Sequence, residues 1–215
     1  MKNRLLIATA LTALSLPVLQ GCVPAVATGV GAGALMIADR RASETYIADE
    51  AIEVRVLNRI SEKFGSNTHI NATSYNMKVL LTGEAPDAAA RDEVEKIAAG
   101  VDNVKGVANE VQIGPASTFT ARSNDTYITS KVKARFVDAS KFQANHVKVV
   151  TEAGTAYLLG IVTRKEADDA VEITRTTSGV KKVVRVFEYV DPAEAQRLDR
   201  RPPPAPNGSP STSGN

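Results

Sequence analysis

One cysteine and two histidines are the scarce reactive side chains of this 215-residue sequence, and their surroundings decide what each can do. Cys22 closes an N-terminal run in which Met1-Lys2-Asn3-Arg4 is basic, Leu5 to Leu19 is mostly apolar, and Gly21 stands directly before the thiol. A basic start, an apolar stretch too short to count on as a membrane span, and small residues at its end are the layout of an export signal. With one Cys no intrachain disulfide can form, so the folded part must hold together by packing. His69 and His146 each stand just before a strand-like run, and no cluster of Cys, Asp or Glu lies at ligand spacing from either; the sequence therefore nominates no metal site and gives both a structural role. Ser, Asp and His are all present without a Gly-x-Ser-x-Gly elbow, so no nucleophile is singled out and no enzyme is expected. Gly29 to Gly33 lack a preceding strand and a Lys-Ser/Thr pair, which removes the phosphate-loop reading and leaves no cofactor.

The elements around these residues repeat. His69 and His146, and likewise Gly83 and Gly160, are separated by 77 positions, while Asp49-Glu50-Ala51-Ile52 lies over Asp125-Thr126-Tyr127-Ile128 with a shift of 76. Each unit opens with a helix, on which Ile52, Val56 and Ile60, or Ile128, Val132 and Phe136, fall four apart on one face. Asn124 or Asp125 is the expected cap of the second such helix. Two strands follow, joined by tight turns at Asn76-Met77 and Ala153-Gly154, then a helix stopped near Gly100 or Gly179, then a last strand. Gly83 and Gly160, at the ends of second strands, read as structural positions where the backbone packs closely. The fold class is α+β: two tandem αββαβ units, each a three-stranded sheet with two helices on one face.

The expected boundaries are a signal over 1–21, a Gly-rich tether over 22–44, a first unit over 45–113, a linker over 114–122, a second unit over 123–190 and a disordered Pro-rich tail over 191–215. No second apolar run is long enough to span a bilayer. Lys2 and Arg4 leave with the signal, so the mature chain has 24 basic and 24 acidic side chains, a balance that argues against nucleic acid as a partner. The charge is unevenly spread: Asp49 to Ile113 holds 7 Lys/Arg and 11 Asp/Glu, Ser123 to Val190 holds 11 and 8. One half is acidic and the other basic.

Leu19-Gln20-Gly21-Cys22 resembles the lipobox of bacterial lipoproteins, a likeness that implies cleavage before Cys22 and acylation (palmitate among the acyl groups) of its sulfur and of the new amino terminus. The repeated αββαβ units, with Gly83 and Gly160 ending the second strands and Gly100-Val101 and Gly179-Val180 after the second helices, resemble tandem BON domains of outer-membrane lipoproteins. The resemblance covers roughly Cys22 to Val190 and implies a periplasm-facing protein on the outer membrane, enriched at division sites, that supports envelope integrity and binds anionic phospholipid through the first helix of its second BON domain. Val23 after the acylated Cys fits the family's sorting pattern for the outer membrane. The family's site carries Trp at the place of Tyr127 and Leu at that of Val137, so this chain offers less apolar area there.

The residues of that helix give a compatible reading. At 100° per residue, Ile128, Val132 and Phe136 face the core while Tyr127, Ser130, Lys131, Ala134 and Val137 fall together on another side, with Lys133 and Arg135 flanking them. The resemblance implies anionic phospholipids, phosphatidylglycerol and cardiolipin, as the ligands. The equivalent helix of the first unit has Ala51 in place of Tyr127, and Asp49, Glu50 and Glu53 nearby, so an anionic surface should repel it. The alternative is a protein-interaction adaptor for outer-membrane protein assembly machinery or cell-wall enzymes, contacting them through the acidic first unit and the Pro-rich tail.

Overall fold

A computed structural model describes residues 39–65 and 68–201. The signal, Cys22 and most of the tether lie outside the described residues, as does the tail from Pro202 onward.

Helix α1 (Ser43–Phe64) opens the first unit, followed by β1 (His69–Tyr75), β2 (Lys78–Ala85), α2 (Ala88–Ala99) and a last strand in two pieces, β3 (Gly106–Asn109) and β4 (Gln112–Ile113). The second unit comprises α3 (Phe119–Ala139), a short 3₁₀ turn at Ala144–His146, β5 (Lys148–Glu152), β6 (Thr155–Val162), α4 (Arg164–Arg175) and β7 (Lys182–Tyr189). In each sheet the second strand is central, antiparallel to the first and parallel to the last. The hairpin turns form where Asn76, Met77, Ala153 and Gly154 take positive φ, the conformation a two-residue turn between twisted strands requires. Asp87 caps α2 by accepting from Ala90 N–H, and Thr163 with Glu166 forms a reciprocal capping box on α4.

Each pair of helices covers one sheet face. Ile52, Val56 and Ile60 of α1 pack with Val79, Leu81, Val94 and Ala98; Ile128, Val132 and Phe136 of α3 pack with Val149, Leu158, Val162 and Ala170. The opposite sheet faces meet each other. Tyr75 and Leu80 from the first unit pack with Tyr157, Leu159 and Ile161 from the second, so every residue of β6 is buried. Polar ties rim this joint: Asn71 Nδ2 donates to Glu152 Oε2 (2.9 Å), Asn76 Nδ2 to Glu188 Oε2 (3.0 Å), and Lys148 Nζ pairs with Glu53 Oε1 (3.0 Å).

Three boundaries differ from the sequence reading. Helix α3 begins at Phe119, capped by the Thr118 hydroxyl, so Asn124 and Asp125 lie within the helix and cap nothing. The chain after Asp191 begins with helix α5 (Pro192–Asp199): Asp191 accepts from the N–H groups of Ala193 and Glu194, and Pro192 supplies the preset first turn. Its Leu198 packs against the joint between the sheets, which gives a short helix the apolar contact it needs. The tether also ends early, because Arg40 and Arg41 are buried and α1 starts at Ser43.

Candidate lipid-facing helix and the joint beside it

Three large apolar side chains of α3 stay in water while its other face is buried: Phe119 is 77%, Tyr127 63% and Val137 63% exposed. At 100° per residue Phe119, Tyr127, Ala134 and Val137 fall within an arc of about 80°, and at 1.5 Å per residue the stripe is about 27 Å long. Phe119 was assigned to the linker by sequence; its place on the stripe follows from the earlier helix start. Ser130 and Ala134 are exposed between the larger groups, and the Ser130 hydroxyl donates to Thr126 O (3.0 Å).

The cations beside the stripe are not equivalent. Lys131 Nζ donates to Ser178 O (2.5 Å) and lies 4.7 Å from the centre of the Tyr127 ring, so it steadies the aromatic group from one side. Lys133 is exposed and makes no ion pair among the described residues. Arg135 does not flank a free surface: its Nη1 donates to Ile173 O and Thr177 Oγ1, both at 2.8 Å, and so satisfies the C-terminal end of α4. At roughly 1 kcal/mol per cation near an anionic surface, the helix offers one free lysine and one partly engaged, fewer than the three expected. The first unit's α1 is not the purely acidic control expected either. Ile47, Val54 and Leu57 are exposed along it, beside Glu50.

Two buried aspartates hold the hairpins to the opening helices, a role the sequence reading missed. Asp125 accepts from Ala153 N and Gly154 N, both at 2.9 Å. Its repeat partner Asp49 accepts from Met77 N (2.7 Å), Asn76 N (2.8 Å) and Ser74 Oγ (2.6 Å), and pairs with Arg41 Nη1 (2.7 Å). The close approaches at the strand ends are steric: a Cβ on Gly83 would lie 2.0 Å from His69 O, and one on Gly160 2.3 Å from His146 O.

Residues 39–41 enter the folded body across the joint. Arg41 turns into the first unit, stacked 4.2 Å from Tyr75 and 4.7 Å from Tyr46. Arg40 turns into the second, where its guanidinium donates to Ile161 O (2.9 Å), to both oxygens of Glu166 (2.8 and 2.9 Å) and to both of Asp199 (2.7 and 3.1 Å). His146 is buried against the same two carboxylates, with Nδ1 3.8 Å from Glu166 and Nε2 3.5 Å from Asp199. Burial opposes the charge on Glu166, but His146, Arg40 and the Thr163 N–H outweigh it and hold its carboxyl below the usual carboxylate range. The direct bonds to Glu166 are those of Arg40 and Thr163, while His146 Nδ1 stands 3.8 Å away, beyond hydrogen-bond reach. Asp39 and Arg41 line a cleft of about 380 Å³ together with Lys133, Val137 and Lys148, so the tether meets the body next to the end of the α3 stripe.

His69 occupies the equivalent place in the first unit. Its Nδ1 lies 2.9 Å from Glu84 Oε2, which also accepts from Ser117 N (3.1 Å), and Glu152 approaches from the second unit. Burial first, then the nearby Glu84 charge, pushes the Glu152 carboxyl up. The fold thus gathers around His69 two carboxylates that sequence spacing did not reveal.

Two αββαβ units that share a joint, the second with an exposed apolar stripe on its opening helix, define a tandem two-module protein. The sequence matches the BON domain over residues 48–115 and 124–191, and the chain belongs to the BON-domain family with two copies. It is 38% identical over 175 residues to the outer membrane lipoprotein DolP of Haemophilus influenzae, covering 80% of this chain and 91% of that one. It is 36% identical over 154 residues to a 21 kDa hemolysin of Actinobacillus pleuropneumoniae (71% and 79% covered), and 28% identical over 142 residues to the osmotically-inducible protein Y of Escherichia coli (64% and 71%).

Proposed function

We propose that this chain is an outer-membrane lipoprotein, acylated at Cys22 and facing the periplasm, whose helix α3 binds anionic phospholipid and so supports envelope integrity and recruitment to division sites. It acts by binding, without catalysis. The observation that carries the reading is the stripe of Phe119, Tyr127 and Val137 beside Lys131 and Lys133, ending at the cleft where the tether enters the body. A helix with exposed aromatics and adjacent cations suits the headgroup level of a bilayer. Entry of the tether beside it means that an anchored chain would present this face to the membrane at high effective concentration. No helix among the described residues is long and apolar enough to cross a membrane.

A chain lacking residues 1–22 should sediment with vesicles containing phosphatidylglycerol or cardiolipin and stay in solution with phosphatidylcholine alone. A Tyr127→Glu, Lys133→Glu variant that sediments as well as the parent refutes the assigned face. The adaptor reading draws on Ile47, Val54 and Leu57 on α1. In-cell photocrosslinking from Val54 to one assembly-machinery or cell-wall protein, together with no vesicle binding, would favour it.

A further inference from the structure

The two histidines sit at equivalent places in the repeat, yet their acidic surroundings are neutralised differently. Around His146, the carboxylates of Glu166 and Asp199 are bridged by the guanidinium of Arg40. Around His69, the carboxylates of Glu84 and Glu152 have no Arg or Lys partner among the described residues. Glu84 receives His69 and the Ser117 N–H; Glu152, 5% exposed, receives only the neutral amide of Asn71 on Oε2. Arg122 lines the small cavity of about 230 Å³ that opens beside His69 and Glu152 but pairs with neither carboxylate. A buried carboxylate that faces a second, partly buried one without a cation is costly, and Glu152 and Glu84 stand in that relation at the joint.

One nitrogen and two carboxylate oxygens, one from each of His69, Glu84 and Glu152, lie within 4.8 Å of one another. We propose that these three residues bind a divalent transition-metal ion, Zn²⁺ by their chemistry, which links the two BON domains at their joint. Imidazole with carboxylates is a borderline donor set that suits Zn²⁺, whereas Mg²⁺ and Ca²⁺ prefer oxygen alone. Closing the three atoms onto a zinc at about 2.0–2.2 Å asks each to move by less than about 1 Å, and the cavity leaves room for a water as fourth ligand. His69 and Glu84 come from neighbouring strands β1 and β2 of the first unit, and Glu152 from the end of β5 in the second. A metal bound there joins the units at the rim of their packed sheets. In the second unit Arg40 meets the same electrostatic demand from within the chain.

The test is isothermal titration of the full chain in detergent with Zn²⁺, with Mg²⁺ and Ca²⁺ as controls, alongside thermal unfolding with and without metal. One zinc per chain is expected, with a rise in unfolding temperature that neither control ion gives. His69→Gln and Glu152→Gln should each lower zinc affinity by at least about tenfold, the scale even of outer-shell losses at metal sites. Glu152→Gln retains the Asn71 hydrogen bond and removes a carboxylate that burial disfavours, so it should fold at least as stably as the parent without metal. That variant keeps the test independent of folding. Absence of stoichiometric zinc binding overturns the proposal. Binding that survives both substitutions also overturns it, since the zinc would then be held elsewhere.

Discussion

Replacing Arg40 with Ala removes a guanidinium whose side chain is 2% exposed and which makes five hydrogen bonds to Ile161, Glu166 and Asp199. Breaking a buried ion pair by deleting one partner costs about 3–5 kcal/mol. Asp199 is 38% exposed and regains water, so its share is small. Glu166 is 17% exposed and keeps the Thr163 N–H, so its penalty is partial. The lower bound, about 3 kcal/mol, is therefore the expected loss, and for a body of this size it lowers the unfolding midpoint by about 6–12 °C. The folded carboxyl of Glu166 lies below its ordinary value. Its contribution is thus fully present above the ordinary Glu pKa of about 4.3 and is lost as pH falls from there toward the folded value. Thermal unfolding by circular dichroism at pH 7 and pH 3 tests both halves of the reasoning. The gap between parent and Arg40→Ala should be wide at pH 7 and should narrow at pH 3. A gap below about 0.5 kcal/mol at pH 7, the range of ordinary surface substitutions, or one that does not narrow in acid, refutes the account of Arg40 as an ionic latch.

Gly83→Ala and Gly160→Ala each place a methyl against a backbone carbonyl, and Gly83 also has φ +107°, so each should lose more than about 2 kcal/mol in urea unfolding. Gly106→Ala, with nothing within 4 Å of the added Cβ, should be nearly neutral. Asp125→Ala leaves the Ala153 and Gly154 N–H groups without their acceptor, at about 1–3 kcal/mol; hydrogen exchange at those two amides should accelerate while the buried strand amides of β6 change less.

The repeat was legible because three independent signals agree in each unit: apolar residues four apart on the opening helix, a two-residue turn that accepts positive φ, and a glycine at the end of the second strand. What was not legible has identifiable causes. Thr118 and Asp125 are both good cap residues, and only the packing of α3 on its hairpin shows that Thr118 starts the helix and that Asp125 is buried within it. The Asp191-Pro192 pair carried a helix-start signature that the following prolines obscured. The sharing of a core by the two units went unread, although β6, from Thr155 to Val162, is buried on both faces and holds only one polar side chain. Partners of Arg40 lie 121, 126 and 159 positions away, beyond any local pattern. The exposed stripe of α3 was half read: Tyr127 and Val137 follow from helical periodicity, whereas Phe119 joins them only when the helix is long enough to include it.

Duplication gave both units the same scaffold, and their differences lie where segments outside the repeat attach. Residues 39–41 and helix α5 meet on the second unit, where Arg40 and Asp199 fill the space around His146. Around His69 only the linker residue Ser117 comes from outside the repeat among the described residues, and it brings no charge; the carboxylate neighbours come from its own sheet and from the other unit. The second unit is thereby fixed to the entering tether, while the first is held through the sheet joint, Arg41 and the polar rim. Residues 39–41 meet the body through Arg40 and Arg41 together, at the place where the two units meet. Reorienting α3 relative to that entry point therefore requires breaking the Arg40 bonds to Glu166 and Asp199, so the direction in which the stripe faces is set by ionic contacts at the joint as well as by the helix itself.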